Sequence, residues 1–343
     1  MFEILLSLCL AGAPESCTER LVPVAAPDCP AAFARLPDVA PDWGADHVAR
    51  DPRCVERPGS DLEFTEIAPG VHVHRGQVAD VGPDNLGDVA NIGFVIGRDS
   101  VAVIDAGGSR AVGEQVYLAL RSVTDKPISH MILTHMHPDH VYGAPVLAEA
   151  GAEIWGHAKL PQALAARAQS YGESYGRLIG PGFAGSGLPV PARTVEDSAR
   201  IDLGGRELLL VARPTAHSES DLTVYDVATR TLFTGDLVFD EHSPALDGSL
   251  RGWLDVLAAL GDPMPARLVP GHGGPVLDWP AGIAALRGYL VMLRDETRAA
   301  IEAGLRLGEA VDRVGWSAAP GWALFDLYHP RNVTAAFTEL EWE

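Results

Sequence analysis

The sequence predicts an α/β protein in which a small cysteine-containing module precedes one large domain. The chain has 343 residues, which is enough for such a pair. Short apolar runs, typical of buried strands, alternate with longer amphipathic stretches, typical of helices. All four cysteines lie within the first 54 residues. We therefore place the module at residues 1–60 and the large domain at residues 61–343.

The composition is that of an ordinary folded protein with a strongly acidic surface. Apolar residues make up 47% of the chain and charged residues 21%, and the formal net charge is −20. Because such a surface repels phosphate groups, a nucleic acid is not expected as a partner. No apolar stretch reaches the roughly 18–20 residues needed to cross a bilayer, so no transmembrane segment is expected.

The N-terminal cysteines, Cys9, Cys17, Cys29 and Cys54, form an even-numbered group in a short stretch. This pattern is typical of disulfide-stapled units in an oxidising compartment. A second metal site and free buried thiols are the alternatives, but there is no CxxC pair to favour a metal. We expect disulfides, and the sequence leaves their connectivity open.

Residues 2–13, FEILLSLCLAGA, have the length of a signal-peptide core but carry Glu3 in place of a basic N-terminal region. Cleavage there would remove Cys9 and leave an odd cysteine. The runs EILLSLCL and SCTERLVPV are typical of two strands joined by the turn AGAPE. We expect a βαβ-like or hairpin module that stays in the protein, with any export signal upstream or absent.

The large domain opens, after the linker VERPGSD, with the strand-like runs FTEIAPGVHVHRG, ANIGFVIG and SVAVIDAGGS. His72 and His74 alternate on one of these strands and lack an evident carboxylate partner, so we interpret them as structural. Asp105 ends the strand VAVID and is a candidate for a carboxylate that orients a metal-bound histidine. The stretch AVGEQVYLALRSV predicts a helix that returns the chain to residue 128.

The stretch ISHMILTHMHPDH, residues 128–140, has the pattern on which the functional prediction depends. A short apolar run ends in four metal-ligating side chains within six residues, His135, His137, Asp139 and His140. Left unpaired, these groups would be costly to bury, whereas a divalent cation satisfies them together. The cluster therefore predicts a metal site beyond the end of a strand, with Asp139 and His140 at the start of a helix.

The remaining elements supply further ligands. A helix (VYGAPVLAEA), a strand (AEIWG) and a long amphipathic helix (PQALAARAQSYGESYGRLIG) come next, and GPGFAGSGLPVPART is expected to form a loop over the site. Three later strands are predicted to end in His217, Asp236 and His272, and the C-terminal third is predicted to be helical. Strands of one sheet present their ends along one edge, so these residues should meet the 128–140 cluster.

The complete set predicts two metal positions. We assign His135, His137 and His217 to the first metal and Asp139, His140 and His272 to the second, with Asp236 bridging both. Two divalent metals generate a bridging hydroxide and polarise a substrate oxygen. Asp139 is the predicted catalytic residue, because it can accept a hydrogen bond from that hydroxide. No Ser–His–Asp arrangement or GxSxG elbow is evident. We interpret the isolated His130, His157, His242 and His329 as structural.

The motif THMHPDH, with His217, Asp236 and His272, resembles the HxHxDH signature of the metallo-β-lactamase superfamily. The resemblance covers residues 62–343 and implies a four-layer αββα sandwich with a dinuclear zinc site on one edge and the ligand allocation given above. Antibiotic-hydrolysing members usually carry cysteine or serine near the position of Asp236, so the chain is more similar to the glyoxalase II and lactonase branch. Flavodiiron relatives carry glutamate in place of His137, which disfavours redox chemistry at a di-iron site.

Longer stretches, among them NIGFVIG, AVIDAGGSR and WALFDLYHPRNVTAAFTELEWE, are similar to the quinoprotein relay system zinc metallohydrolases of the second type, a SoxH-like group. That resemblance implies a periplasmic hydrolase with a functional link to a quinoprotein dehydrogenase. A cytoplasmic location is the alternative.

Our first functional hypothesis is a hydrolase with two Zn²⁺, or iron or manganese in their place, that cleaves a small ester, thioester, lactone or lactam. The second is a non-catalytic protein that uses its metal to hold a quinone cofactor. The third is a mononuclear iron persulfide dioxygenase, with iron bound by His135, His137 and His217.

Overall fold

The structure, a computed structural model, describes residues 1–343 and contains three β-sheets. The first sheet forms the N-terminal module and has the strand order β2–β1–β3. Its elements are β1 (Phe2–Leu10), β2 (Ala13–Ala26), α1 (Cys29–Val39) and β3 (His47–Glu56). All three strands pair antiparallel, so the module combines the predicted hairpin with a helical connection to a third strand.

Two disulfides staple this module. Cys9–Cys17 joins β1 to β2 across the hairpin, and Cys29–Cys54 joins the start of α1 to β3. The prediction of disulfides is confirmed, and no free cysteine is left. Residues 2–10, which have the length of a signal-peptide core, form the central strand of the sheet.

The second and third sheets belong to the large domain. The second has seven strands in the order β10–β9–β8–β7–β6–β5–β4. They are β4 (Thr65–Ala68), β5 (Val71–His74), β6 (Ile92–Ile96), β7 (Val101–Ile104), β8 (Ile128–Ile132), β9 (Glu153–His157) and β10 (Arg193–Val195). The third has six strands in sequential order, β11 (Ser198–Asp202), β12 (Glu207–Ala212), β13 (Leu222–Asp226), β14 (Thr231–Phe239), β15 (Arg267–His272) and β16 (Leu277–Asp278). Both sheets mix parallel and antiparallel pairs.

Eight helices belong to the large domain. They are α2 (Arg110–Val123), α3 (Pro138–Val141), α4 (Ala144–Glu149), α5 (Leu160–Ile179), α6 (Leu250–Ala259), α7 (Ala284–Glu302), α8 (Leu307–Val311) and α9 (Phe325–Leu340). Where the sequence predicted one helix over VYGAPVLAEA, the chain forms two short helices separated by Tyr142 and Gly143. None of the helices combines the length and the apolar character that crossing a membrane requires.

Side chains that alternate along the strands create the layers. In β7, Ala102 and Ile104 face the apolar core between the two sheets, whereas Val101 and Val103 face the core beneath α2, α4 and α5. On the other sheet, Leu268 packs against the core formed with α6, α7 and α9. Helices therefore cover the outer face of each sheet, and the predicted four-layer αββα sandwich is confirmed.

The N-terminal module packs on the helical layer of the second sheet. Leu21 of β2 joins the apolar core of that layer. Its backbone N–H donates to Glu114 Oε1 of α2 at 3.1 Å. Glu3 is fully buried, and its carboxylate accepts from Tyr117 Oη and Arg57 Nε, both at 2.8 Å. Apolar and ionic contacts thus fix the module to α2.

Candidate metal centre

The seven predicted ligands converge on one edge of the sandwich. They form two adjoining groups. Within each group, every residue offers one ligand atom, and these atoms all lie within 4.8 Å of one another. The first group contains His135, His137, His217 and Asp236, and the second contains Asp139, His140 and His272. Residues spread over 138 positions of the chain are therefore brought together as the sequence predicted.

Three imidazole nitrogens face one another in the first group. Nδ1 of His137 lies 3.0 Å from Nε2 of His135 and 2.8 Å from Nε2 of His217. The rings stand nearly perpendicular, with interplanar angles of 84–89°. Three nitrogens aimed at one point are the donor set that zinc prefers in proteins.

Asp236 joins the two groups. Its Oδ2 lies 3.5 Å from Nε2 of His217 and 3.4 Å from Nε2 of His272, while its Oδ1 lies 3.1 Å from Nε2 of His140. In the second group, Nε2 of His272 lies 3.2 Å from Oδ2 of Asp139. The Asp236 carboxylate therefore faces histidines of both groups.

Each histidine is also held from outside the cluster through its second ring nitrogen. The partners are Thr134 Oγ1 for His135 at 3.0 Å, Asp247 Oδ2 for His137 at 3.0 Å, Asp105 Oδ2 for His140 at 2.8 Å, the Ala245 carbonyl for His217 at 2.7 Å and the Val89 carbonyl for His272 at 2.9 Å. Such outer contacts fix the tautomer and the ring direction of metal-binding histidines. All five rings are therefore oriented with one nitrogen inwards.

Asp105 has the role that the sequence predicted. Besides contacting His140, its carboxylate accepts from the backbone N–H of Thr134 at 2.9 Å and from Thr134 Oγ1 at 2.8 Å. Its φ of +59° is in the left-handed region, which is strained for a residue with a side chain. The buried carboxylate thus ties the end of β7 to the segment that carries His135.

Asp247 contacts a candidate ligand, although the sequence did not predict this contact. It lies in the stretch SPALDGS between β14 and α6, far from every motif, so no sequence signal distinguished it. Besides contacting His137, it forms an ion pair with Arg167 of α5 at 3.0 Å. Only the tertiary structure brings these three side chains together.

Two of the predicted strand ends were wrong in detail. His217 lies five residues beyond the end of β12, in a turn held by Asp221, which accepts from the Ser218 N–H at 2.9 Å. Burial raises the pKa of Asp221 to about 7. Asp236 lies inside β14 and not at its end, where the pairing with β15 is irregular around Gly235. A turn and a distorted strand, respectively, deliver these ligands.

Two ligand atoms have no hydrogen-bond partner although both are buried. They are Nε2 of His140 and Oδ1 of Asp236, which face each other. An unpaired buried polar atom is costly, and a divalent cation between them would satisfy both. The donor set therefore fits a divalent metal pair.

The electrostatic surroundings of the histidines differ between the two groups. Burial lowers the pKa of His217 to about 3, which keeps its imidazole in the neutral form that binds metals. Burial also lowers the pKa of His272, but the charges of Asp236 and Asp139 outweigh it and raise this pKa to about 9. We therefore expect metal binding to release a proton from His272.

A cavity of about 570 Å³ opens above the ligands. Its walls come from the loop at 80–81, from α5, from the segment after β14 and from α9, including Tyr171, Tyr175, Leu178, Phe239, His242, Leu327, Tyr328 and Arg331. The C-terminal helix α9 therefore supplies part of the cavity wall. The glycine- and proline-rich loop after α5 is not among the lining residues, so its predicted place over the site was wrong.

Three of the histidines interpreted as structural differ in their surroundings. His242 is not isolated, because its ring lies 4.7 Å from that of His272 and lines the cavity. His74 does have a carboxylate partner, Asp88, at 2.8 Å, although both lie outside the cluster. His329 is a buried structural residue, hydrogen-bonded to Tyr289 and Val314.

Comparison with known proteins agrees with this geometry. The family model of the metallo-beta-lactamase superfamily matches residues 86–272, more than half of the chain. The chain is 26% identical over 188 residues to a beta-lactamase-like protein 2 homolog from Caenorhabditis elegans, covering 54% of this chain and 56% of that one. It is 31% identical over 191 residues to the acyl-coenzyme A thioesterase MBLAC2 from Bos taurus, covering 49% and 62%. These matches span less than two thirds of either relative.

Solved structures share the fold at low identity. A metallo-beta-lactamase from Pontibacter korlensis superposes with a TM-score of 0.53 at 19% identity, over 67% of this chain and 99% of that one. The sec-alkylsulfatase Pisa1 from Pseudomonas sp. gives 0.62 at 16% identity, over 81% and 50%. The family match and the fold lead to one conclusion, with which the candidate ligand groups agree: the chain belongs to the metallo-β-lactamase superfamily.

Proposed function

We propose that the protein is a binuclear zinc hydrolase in which His135, His137 and His217 hold one zinc and Asp139, His140 and His272 hold the other. Asp236 would be a ligand shared by both. The observation that supports this proposal is the position of the Asp236 carboxylate, with oxygens 3.1–3.5 Å from histidines of both groups. A single-metal site would not need the second group.

Two divalent metals held by these residues would supply an activated water and would polarise a substrate oxygen. Side chains of the protein orient the water and hold the ligands. Asp139 is the proposed catalytic residue, since its carboxylate faces the ligand cluster and can accept a hydrogen bond from the attacking water and so orient it. The outer contacts of the five histidines hold the ring nitrogens inwards while charge develops at the site.

The bond that we propose to be cleaved is the acyl bond of a small ester, thioester, lactone or lactam. Water adds to the acyl carbon, the bond to the alcohol, thiol or amine breaks, and the leaving group takes up a proton. Thioesters are the first class to test, because a relative that is 31% identical is named an acyl-coenzyme A thioesterase. The cavity of about 570 Å³ has room for a small acyl group.

The test combines elemental analysis of the purified protein with a chromogenic panel of ester, thioester, lactone and cephalosporin substrates. We expect about two zinc per chain and hydrolysis that a chelator abolishes. His137→Ala and Asp236→Ala should lose both metal and turnover. His130→Gln, on β8 but outside both ligand groups, is the matched control and should keep both.

Other outcomes of the same measurement identify the alternatives. One iron per chain with oxygen consumption and no hydrolysis would indicate the persulfide dioxygenase. Bound metal with no turnover on any substrate would indicate a non-catalytic metal or quinone-cofactor binding protein. Manganese or iron in both positions, with turnover, would change only the identity of the metal.

We also propose that the protein works in the periplasm beside a quinoprotein dehydrogenase. The two disulfides support an oxidising compartment, because such bonds are rare where thiols are kept reduced. The link to a quinoprotein rests on the sequence resemblance alone. Cell fractionation tests the location, and recovery in the cytoplasmic fraction would contradict it.

A further inference from the structure

The N-terminal module reaches the catalytic domain at the loop that follows α5. We propose that Arg20 of the module is a positioning residue that holds the α5 wall of the substrate cavity in place, so that the module is part of the substrate-binding apparatus. The effect on substrate binding rests on the proposed hydrolase function, whereas the effect on the wall itself does not.

Arg20 makes the direct contact. Its side chain is buried, although it is a charged residue. Nε donates to the carbonyl of Ala184 at 2.7 Å, and Nη2 donates to the carbonyl of Gly182 at 2.5 Å. Thr18, two residues earlier on β2, donates to the carbonyl of Pro181 at 3.3 Å. One strand of the module therefore holds three carbonyls of the loop.

The held loop is continuous with the cavity wall. Residues Gly180–Phe183 form a 3₁₀ turn directly after α5, which ends at Ile179. The ring of Phe183 lies 6.4 Å from that of Tyr175 and 4.9 Å from that of Tyr142. Tyr175 and Leu178 of α5 line the cavity. The loop that Arg20 holds is therefore linked, through Phe183 and the end of α5, to side chains that line the cavity.

The module is itself anchored, so it can act as a fixed support. Glu114 of α2 accepts from Leu21 N and from Arg110 Nε, and the Arg110 guanidinium lies 4.5 Å from the centre of the Trp43 ring. Because a buried hydrogen bond and a cation–π contact also join the module to the large domain, loss of Arg20 should free the loop without releasing the module.

Hydrogen exchange of the intact, metal-loaded protein tests the positioning. In Arg20→Met, the amides of residues 175–186 should exchange about tenfold to a hundredfold faster, the size expected when hydrogen bonds from a charged donor are lost. Arg35→Met is the matched control. Arg35 also donates to two carbonyls, those of Val24 and Ala25, but both lie within the module. It should leave exchange at 175–186 unchanged.

Kinetics on p-nitrophenyl butyrate give the second readout. In Arg20→Met, KM should rise at least roughly threefold while kcat and zinc content stay near wild type, because binding is altered and the metal centre is not. Phe183→Leu, which leaves the module intact, should give the same pattern through the lost contact with Tyr175. This variant keeps the proposal testable if Arg20→Met misfolds.

Three results would overturn the proposal. They are unchanged exchange at 175–186 in both Arg20→Met and Phe183→Leu, an equal effect of Arg35→Met, and a loss of zinc in step with the loss of activity. If the wild-type protein turns over no substrate, the proposed function fails, and the exchange experiment still decides the role of Arg20.

Discussion

Oδ2 of Asp247 lies 3.0 Å from Nε2 of His137, and the same carboxylate pairs with Arg167 on the wall of the cavity. Nδ1 of His137 is the nitrogen that faces the other histidines of the first group. Asp247 therefore fixes which nitrogen of His137 points inwards. Arg167 compensates the negative charge of the Asp247 carboxylate. The cavity wall and the first ligand group are thus linked by the side chains of Arg167, Asp247 and His137.

Asp247→Ala should weaken binding of the first metal about 10–100-fold, the usual cost of removing such an outer contact. Zinc titration against a chromogenic chelator measures the affinity. Asp255→Asn, an exposed carboxylate on α6, is the control. Equal zinc affinity in Asp247→Ala and the wild type would show that His137 does not need this partner.

Gly271→Ala should disrupt the bridging position. A Cβ at residue 271 would lie 1.9 Å from Oδ1 of Asp236, a clash that must move the carboxylate. We expect metal content below two per chain, measured by elemental analysis. Gly288→Ala, in the interior of α7 with no atom within 4 Å of the added Cβ, should keep both metals and gain about 0.5–1 kcal/mol of stability. Full metal loading in Gly271→Ala would contradict the bridging geometry.

Tyr117→Phe should lower the free energy of unfolding by about 1–3 kcal/mol. The Tyr117 hydroxyl donates to the Glu3 carboxylate, which is fully buried in the first strand of the module, and its loss leaves the charge with fewer partners. Urea denaturation measures the change. Tyr225→Phe, whose hydroxyl has only a long contact of 3.4 Å to a carbonyl, is the control and should cost less. An equal cost for both would contradict a special role of the Glu3 contact.

The His74–Asp88 pair should make stability depend on pH. Burial lowers the pKa of His74, but the hydrogen bond and charge of Asp88 outweigh it and raise the pKa above 6.5. A raised histidine pKa stabilises the folded state most fully below pH 6.5, and the contribution is lost as pH rises through the folded-state value. Asp88→Asn should therefore cost more at pH 6 than at pH 9 in urea denaturation. Asp84→Asn, exposed in the same loop, should show no such difference.

The sequence by itself determined the ligand set. Side-chain chemistry and spacing identified His135, His137, Asp139 and His140, because a metal is the simplest way to bury so many coordinating groups together. It also determined the module with its disulfides, since the cysteines were confined to 54 residues. The four layers were recognised through family resemblance, and the alternating apolar residues of strands such as β7 show their physical basis.

Only the tertiary structure decided how the ligands are held and what surrounds them. Asp247 and His242 come from segments without a motif, and they reach the site because the chain after β14 folds back over the cavity. The loop after α5 was expected over the site but lies against Arg20 of the module, 162 residues away in sequence from Gly182. Contacts between such distant segments depend on packing geometry, which local residue patterns do not encode. Ligand identity is a local chemical property, whereas ligand orientation and cavity shape are properties of the whole fold.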